Sequence, residues 1–410
     1  MKNNFTIKSV QLYDALIWVL IFLTPFCYPF RTYVYQFIPL HVFIIMYLTL
    51  AGIIFLLFCK IRKFYISKWM LSILLWYILF LPISCDKDTG LKWIINITIG
   101  ILIGGMVVQV QWELKRLMAY IYGTIICSCL MLPEVVKRLG FSQNYVHTVR
   151  IPFMEGDISV GPNAWAQTIV FAILVILVYI GEKKKFSAYL YGLTIILLGF
   201  LYLTQSRTQT YALAAVVALM MLRIILDKTK HVYNRLLAIF LMLTAAFAVS
   251  LLLLDGRVIS GHGRLLNVDF NGRNEIWNLT AYGYFNKMNI FQQLFGVGTG
   301  GSSVFLASID NMTKFMGADH LSTHNIYFDA LLSSGLIGSI LTIGYWVRAT
   351  IILGLKQRHS LYFVFPLYIL ISGIGTHLFI NWEFSLYIAI TEIAIYKYNS
   401  ARKNLVLITI

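Results

Sequence analysis

Long apolar runs alternate with short polar breaks along almost the whole chain. The runs approach the roughly 20 residues that carry an α-helix across a bilayer, and matching runs against breaks predicts about twelve transmembrane helices. The first four lie near Leu12–Phe30, Phe37–Phe58, Trp69–Cys85 and Leu91–Val110. The next four lie near Leu117–Leu132, Gly161–Ile180, Ala188–Leu203 and Tyr211–Leu226. The last four lie near Leu236–Leu254, Tyr327–Leu353, Leu361–Phe379 and Phe384–Tyr396. Two stretches, residues 134–160 and 255–323, are too long and too polar to be tight connections. The expected fold class is all-α: a polytopic integral membrane protein, one transmembrane domain over residues 1–410, with a large extracytoplasmic loop before a late span.

Charge orients this pattern. One set of connections carries Lys60, Arg62, Lys63 and Lys68, then Lys115 and Arg116, Lys183 to Lys185, and Arg223, Lys228, Lys230 and Arg235. The short connections between them carry Arg31, Lys87, Lys92 and Arg207. The positive-inside rule puts the basic set in the cytoplasm together with both termini, and both long loops outside. Lys2 and Lys8 precede a run too long for a cleavable signal peptide, so the first span is expected to stay.

Composition agrees and excludes other classes. Hydrophobic residues make up 59% and charged residues 12% of the chain, more apolar than a single soluble core requires. A net charge of +16 would suit a nucleic-acid binder, but its residues sit in connectors between spans, so no nucleic-acid partner is expected. Cys27, Cys59, Cys85, Cys127 and Cys129 lie in or beside apolar runs and form no C-x-x-C pair of a zinc or redox site.

Candidate chemistry collects from Leu266 to Gly338, where Arg, His, Asp, Asn and repeated Gly interrupt the apolar chain. The aromatics Trp277, Tyr282, Tyr284, Phe285, Phe291 and Phe295 point to a loop that packs rather than one that is disordered. Arg273 and Trp277, four residues apart, share a face if the segment is helical. They suit either a substrate site or an amphipathic turn on the membrane surface. Upstream, Arg207 lies in the tight connection Thr204-Gln-Ser-Arg-Thr208, where Ser206 or Thr208 is placed to cap the next helix. A guanidinium beside a helix N-terminus can hold an anion; an Arg reaching for lipid headgroups is the alternative.

His320 and His324 have i, i+4 spacing, with Asp319 as a third metal ligand by sequence. Ser322 and Thr323 look like capping residues, which puts His320 outside the helix and argues against a metal. His324 as a general base fits better, since imidazole titrates near neutral pH; a capping or structural His is the alternative. Gly296, Gly298 and Gly300 lack the strand of a dinucleotide fingerprint and suit a close turn against the membrane or a substrate. Asp86-Lys-Asp88 is a common pattern with little weight as a metal pair. Asp329, Glu383 and Glu392 fall in or at late spans, where acids are functional candidates. Asp329 is close enough in sequence to share a site with His324.

These residues resemble the O-antigen polymerase and O-antigen ligase superfamily of bacterial envelope glycosyltransferases. The resemblance rests on Gly272-Arg273 with Trp277, Phe295-Gly-Val-Gly-Thr-Gly300, His324-Asn325-x-Tyr327 and Gly335-Leu-Ile-Gly338. It extends upstream to Ser206-Arg207 and Gly161-Pro162-Asn163, with Arg150 before them, and covers about half the chain, Arg150 to Gly338. His324 is preceded by Ser-Thr rather than by a closely spaced second His, which leaves His320 without a family role. The resemblance implies inverting glycosyl transfer on the outer face of the bacterial cytoplasmic membrane, with no metal and no cofactor. The donor would be an undecaprenyl-diphosphate-linked glycan, held within membrane lipid.

By the same resemblance Arg207 and Arg273 would hold the diphosphate and His324 would take the acceptor proton. Arg150, Asn163, Asn325 and Asp329 would complete the substrate site. The reading is a polysaccharide polymerase of O-antigen, capsule or exopolysaccharide repeat units, working beside a flippase and a chain-length regulator. A ligase that passes the glycan to lipid A core or protein has the same chemistry. A transporter or flippase of similar span number is the rival from another class, but such proteins place their sites at the membrane midplane.

Overall fold

A computed structural model of the chain describes residues 15–27, 49–50, 52–53, 66–108, 117–141, 162–183, 188–204, 206–228, 273–309, 320–356, 361–379 and 383–401. Every regular element among them is helical. In chain order these are α1 (Ala15–Phe26), α2 (Lys68–Phe80), α3 (Lys87–Val108), α4 (Met118–Phe141), α5 (Pro162–Lys183), α6 (Ala188–Thr204) and α7 (Arg207–Lys228). There follow α8 (Arg273–Tyr282), α9 (Ile290–Phe295), α10 (Ser302–Ile309), α11 (Ile326–Ile351), α12 (Val364–Ser372) and α13 (Glu383–Ala401). Among the described residues, three helical segments are long and apolar enough to cross a membrane: Asn163–Gly181, Arg207–Ile225 and Ile326–Leu355. Shorter apolar helices include α1, α2, α6 and α12.

Predicted spans that fall on described residues coincide with helices, with three revisions. Helix α4 runs through Pro133 to Phe141, so the start of the first predicted loop is helical. The large loop is not irregular: residues 273–309 fold into α8, a π turn at Gly283–Lys287, α9 and α10. The span expected at Leu361–Phe379 breaks after Ser372 into a 3-10 turn, Gly373–Gly375, and extended backbone at Thr376. The span expected at Leu236–Leu254 lies outside the described residues, as does most of Phe37–Phe58.

Helix α5 is buried on every side from residue 164 to 176, as befits a helix apolar all round and enclosed by others. Helices α3 and α13 meet where side chains are smallest. A methyl group on Gly100 would stand 2.8 Å from the Ile388 Cβ and the Ser385 carbonyl, and one on Gly104 would stand 3.4 Å from the Ala389 Cα. Between helices in lipid, van der Waals packing of this kind replaces the hydrophobic drive available in water.

Helix α11 is interrupted at Gly335, whose φ of 65° and ψ of −172° lie outside the helical range. A break at membrane depth leaves backbone groups that have no water to bond, and protein must supply their partners. The Leu332 carbonyl accepts the Val297 N–H at 2.9 Å. Next along the glycine run, Thr299 caps the end of α2: its N–H donates to the Phe80 carbonyl at 3.3 Å and its hydroxyl to the Tyr77 carbonyl at 2.8 Å. The run expected to turn against membrane or substrate is thus a seam of protein backbone on protein backbone.

Gly296 shows how tight the seam is. Its φ is 87°, and a Cβ there would lie 2.3 Å from the Ser333 carbonyl oxygen. Gly296→Ala therefore pays for a left-handed backbone, about 1–2 kcal/mol, as well as for the clash. Gly192 on α6 has no atom within 4 Å of such a methyl. In detergent-solubilised protein, Gly296→Ala is expected to lower the thermal unfolding midpoint clearly, while Gly192→Ala leaves it unchanged or slightly raised. Equal midpoints for the two variants would contradict the seam.

Candidate functional site

Helix α6 ends at Thr204 and α7 starts at Arg207. The Ser206 carbonyl accepts the Thr210 N–H at 3.1 Å, so Ser206 occupies the cap position by backbone. Its side chain goes elsewhere, donating to Asn163 Oδ1 at 2.7 Å. Asn163 is the second residue of α5, after Pro162, whose fixed φ suits a first helical position. Asn163 and Ser206 thereby tie together the N-terminal ends of α5 and α7, both positive ends of helix dipoles.

Arg273 reaches the same place from the loop. It opens α8, and its Nη1 donates to Thr208 Oγ1 at 3.3 Å. Four residues on, the Trp277 indole N–H donates to the Thr323 carbonyl at 3.2 Å, and its ring meets Phe328 edge-on at 6.2 Å. The face shared by Arg273 and Trp277 is thus turned onto protein, which decides against a turn lying on the membrane surface. Burial, then the nearby charge of Arg207, pulls the Arg273 guanidinium below its ordinary pKa. Two guanidinium groups this close favour an anion between them.

The backbone before α11 supplies the next group. Asn325 caps the helix, its Oδ1 accepting the N–H groups of Tyr327 at 2.9 Å and Phe328 at 3.2 Å. Its Nδ2 donates to the Ile374 carbonyl at 3.2 Å. The capping residue is therefore Asn325 rather than Ser322 or Thr323, and its amide is occupied by backbone. His324 just before it has φ of 50°, the only positive φ outside glycine among the described residues. Its imidazole is pushed down to about 4, first by burial, then by His377 and Arg273, against the opposing pull of Asp329.

Asp329, on the first turn of α11, is 2% exposed. It accepts Thr323 Oγ1 at 2.6 Å and Ser302 Oγ at 3.0 Å, and its other oxygen meets His377 Nδ1. His377 Nε2 accepts the His324 backbone N–H at 3.3 Å, and the two imidazole rings lie 5.2 Å apart. The segment leading to His377 approaches closely: a methyl on Gly375 would lie 2.8 Å from Thr208 Cγ2 and 2.9 Å from Arg273 Nη1. Thr376 Oγ1 accepts Gln209 Nε2 at 2.8 Å, fixing this segment to α7.

Arg207, Arg273, His324, Asp329, Asn163 and Asn325 are thus held in one neighbourhood by direct or one-residue links. Arg150 lies outside the described residues, as does Asp319. His320 faces Asp86 Oδ2 at 3.7 Å and Ser303 Oγ at 3.3 Å. Asp86 caps α3, accepting the Thr89 N–H at 3.0 Å, while Asp88 is exposed on the first turn. Among the described residues, no three His, Cys, Asp or Glu side chains are grouped to hold a metal. Glu392 has structural partners: it accepts the Ser67 N–H at 3.0 Å, the Ser67 hydroxyl at 2.9 Å and the Tyr345 hydroxyl at 2.8 Å, tying α2, α11 and α13 together.

His377 is the site residue that the sequence pattern hid. It sits inside an apolar run that reads as a continuous span, and only the pair Gly373 and Gly375 with one imidazole marks the break.

Comparison with known proteins adds one family and no relative. A search of curated proteins finds no match to the chain. The family model described as O-antigen ligase matches residues 192–343, from α6 to the middle of α11. That stretch supplies Arg207, Arg273, His324 and Asp329, and the match supports the resemblance to the O-antigen polymerase and ligase superfamily.

Proposed function

We propose that this protein is a polysaccharide polymerase that joins undecaprenyl-diphosphate-linked repeat units by inverting glycosyl transfer without a metal. The observation that carries the reading is the meeting of Arg207 and Arg273 with His324, brought from a bundle turn, a loop helix and the start of α11. The charge pattern and the family match support a reading in which the chain spans the bacterial cytoplasmic membrane about twelve times with cytoplasmic termini and carries this site on the outer face.

In the proposed reaction an acceptor hydroxyl oxygen attacks the anomeric carbon from the side opposite the diphosphate. A new C–O bond forms as the bond to the diphosphate oxygen breaks, and that oxygen leaves with the electron pair. His324 takes the hydroxyl proton on a ring nitrogen, a task open to the neutral imidazole that burial favours. Arg207 and Arg273 meet the charge growing on the leaving diphosphate, where stabilisation accelerates the step. Asn163 and Asn325 hold the helix ends that frame this space.

A ligase reading draws on the description of the matching family, and the chemistry above serves it unchanged. Deletion of the gene separates the two. Loss of a polymerase leaves single repeat units attached to their acceptor, whereas loss of a ligase leaves none attached.

Two expectations test the chemistry itself. With purified protein and lipid-linked repeat units, His324→Ala is expected to lower kcat by about 10²–10⁴-fold, the usual worth of a general base. Arg273→Lys is expected to weaken turnover by at least tenfold, because a point charge replaces a planar fork. Full activity in either variant would remove that residue from the mechanism.

The pH profile carries a sign. His324 must be neutral, so activity falls as pH drops through its pKa. In the free enzyme this limb of kcat/KM is expected near pH 4 rather than near the ordinary imidazole value. A bound diphosphate offsets the Arg273 charge that lowers His324, so the limb in kcat lies at higher pH. A limb at the ordinary imidazole value in kcat/KM would show that His324 is not buried in the working enzyme.

A further inference from the structure

We propose that His377 and Asp329 form a positioning pair that fixes the direction of the His324 ring. The inference rests on the reading of His324 as the proton acceptor. It concerns a residue, His377, that lies beyond the segment matched by the family and belongs to no motif noted in the sequence.

The hydrogen bonds leave His377 one neutral tautomer. Asp329 is surrounded by donors: the hydroxyls of Ser302 and Thr323 reach one oxygen, and His377 Nδ1 reaches the other. A carboxylate in that setting accepts, so Nδ1 carries the proton. Nε2 then presents a lone pair, and it faces the backbone N–H of His324 at 3.3 Å, which can only donate. Both ends of the ring agree on the same form, in the way a second group orients a ligating or catalytic imidazole.

His324 needs such a hold. At φ of 50° a residue with a Cβ sits in the left-handed region, which costs about 1–2 kcal/mol relative to the ordinary backbone. Its N–H is shared between His377 Nε2 and Ser322 Oγ, each at 3.3 Å. Strain of this kind persists where surrounding structure over-determines it, and it aims a side chain that a relaxed backbone would turn elsewhere. Because the Nε2 lone pair is committed to this amide, His377 acts through His324 and does not itself take the substrate proton.

The groups facing His324 also include Arg273, Asp329 and, at one remove, Arg207. Burial is the main cause that lowers its proton affinity, and the neutral His377 ring packs beside it, so removing the imidazole admits water and should raise the His324 pKa. The acidic limb of kcat/KM should then move to higher pH.

The test uses the full chain in detergent or nanodiscs, with lipid-linked repeat units as donor and acceptor, and compares His377→Gln, His377→Ala and Asp329→Asn. Glutamine places a carbonyl oxygen near the former Nε2 and can accept the His324 N–H. The expected result is a kcat within about tenfold of wild type for His377→Gln. His377→Ala should lose roughly 10²-fold, the worth of a misplaced catalytic group, with KM little changed because the arginines hold the diphosphate. Asp329→Asn should fall in between, since it loosens the ring without removing it. The limb should shift upward in His377→Ala and little in His377→Gln, which keeps the space beside His324 filled.

If His377→Ala keeps wild-type kcat and pH profile while His324→Ala is inactive, the positioning role is wrong and the proposed function stands. If His377→Gln is as inactive as His377→Ala with unchanged thermal stability, His377 works by its own proton chemistry and the pair is also wrong. If wild-type protein transfers no sugar, or His324→Ala keeps full rate, the underlying reading fails first and visibly.

Discussion

Asp329 is the interaction on which the site depends. A carboxylate buried at the start of a membrane helix is costly unless donors surround it, and here three segments supply them: α10 through Ser302, the pre-helix backbone through Thr323, and the broken end of α12 through His377. Each segment carries or holds another site residue. Thr323 receives Trp277, which positions the helix of Arg273; His377 receives the His324 amide; the segment before His377 lies against Thr208 and Arg273. Its two oxygens thereby link the loop, the break and the histidine, which is how one buried side chain can organise groups from distant parts of the chain.

The two interrupted helices give the site its room. Continuous helices satisfy their own backbone and offer a membrane protein no polar surface, whereas a break exposes N–H and C=O groups that must find partners. At Gly335 the partners come from the glycine seam, so that break is closed and structural. After Ser372 the chain becomes extended, and the groups it presents are used by Asn325, Gln209 and His324. One break fastens the loop to the bundle and the other lines the site. The same device yields opposite results because only the second places a titratable side chain in the gap.

Much of the helical order was legible from the sequence because hydropathy acts over whole runs, and a run of adequate length has few alternatives in lipid. Arg207, Arg273, His324 and Asp329 were also legible as chemistry, since polar groups in an apolar chain are conspicuous. Their meeting was not, because hydropathy holds no information on which turn lies beside which loop; the family resemblance supplied it. The break after Ser372 was missed for the opposite reason. Gly373, Gly375 and His377 are too few to lower the hydropathy of the run around them. Capping was misassigned by proximity: Thr323 and Ser322 are chemically suited to cap α11, but Thr323 is drawn inward by Asp329, leaving Asn325 to bond the first free N–H groups.

Electrostatics explains why the loop needs such firm anchoring. Arg207 belongs to a bundle helix and Arg273 to a loop helix, so their mutual repulsion acts to push the loop off the bundle. Opposing it are the bond from Arg273 to Thr208, the Trp277 indole on the Thr323 carbonyl, and the seam through Val297 and Thr299. Net contributions of neutral hydrogen bonds are about 1 kcal/mol each, so several act together against this repulsion. The protein's own bonds thus fasten the loop helix of Arg273 against the bundle helix of Arg207. On the proposed function, a diphosphate bound between these two guanidinium groups would gain from that fastening, because less ordering of the loop is left for binding to cover.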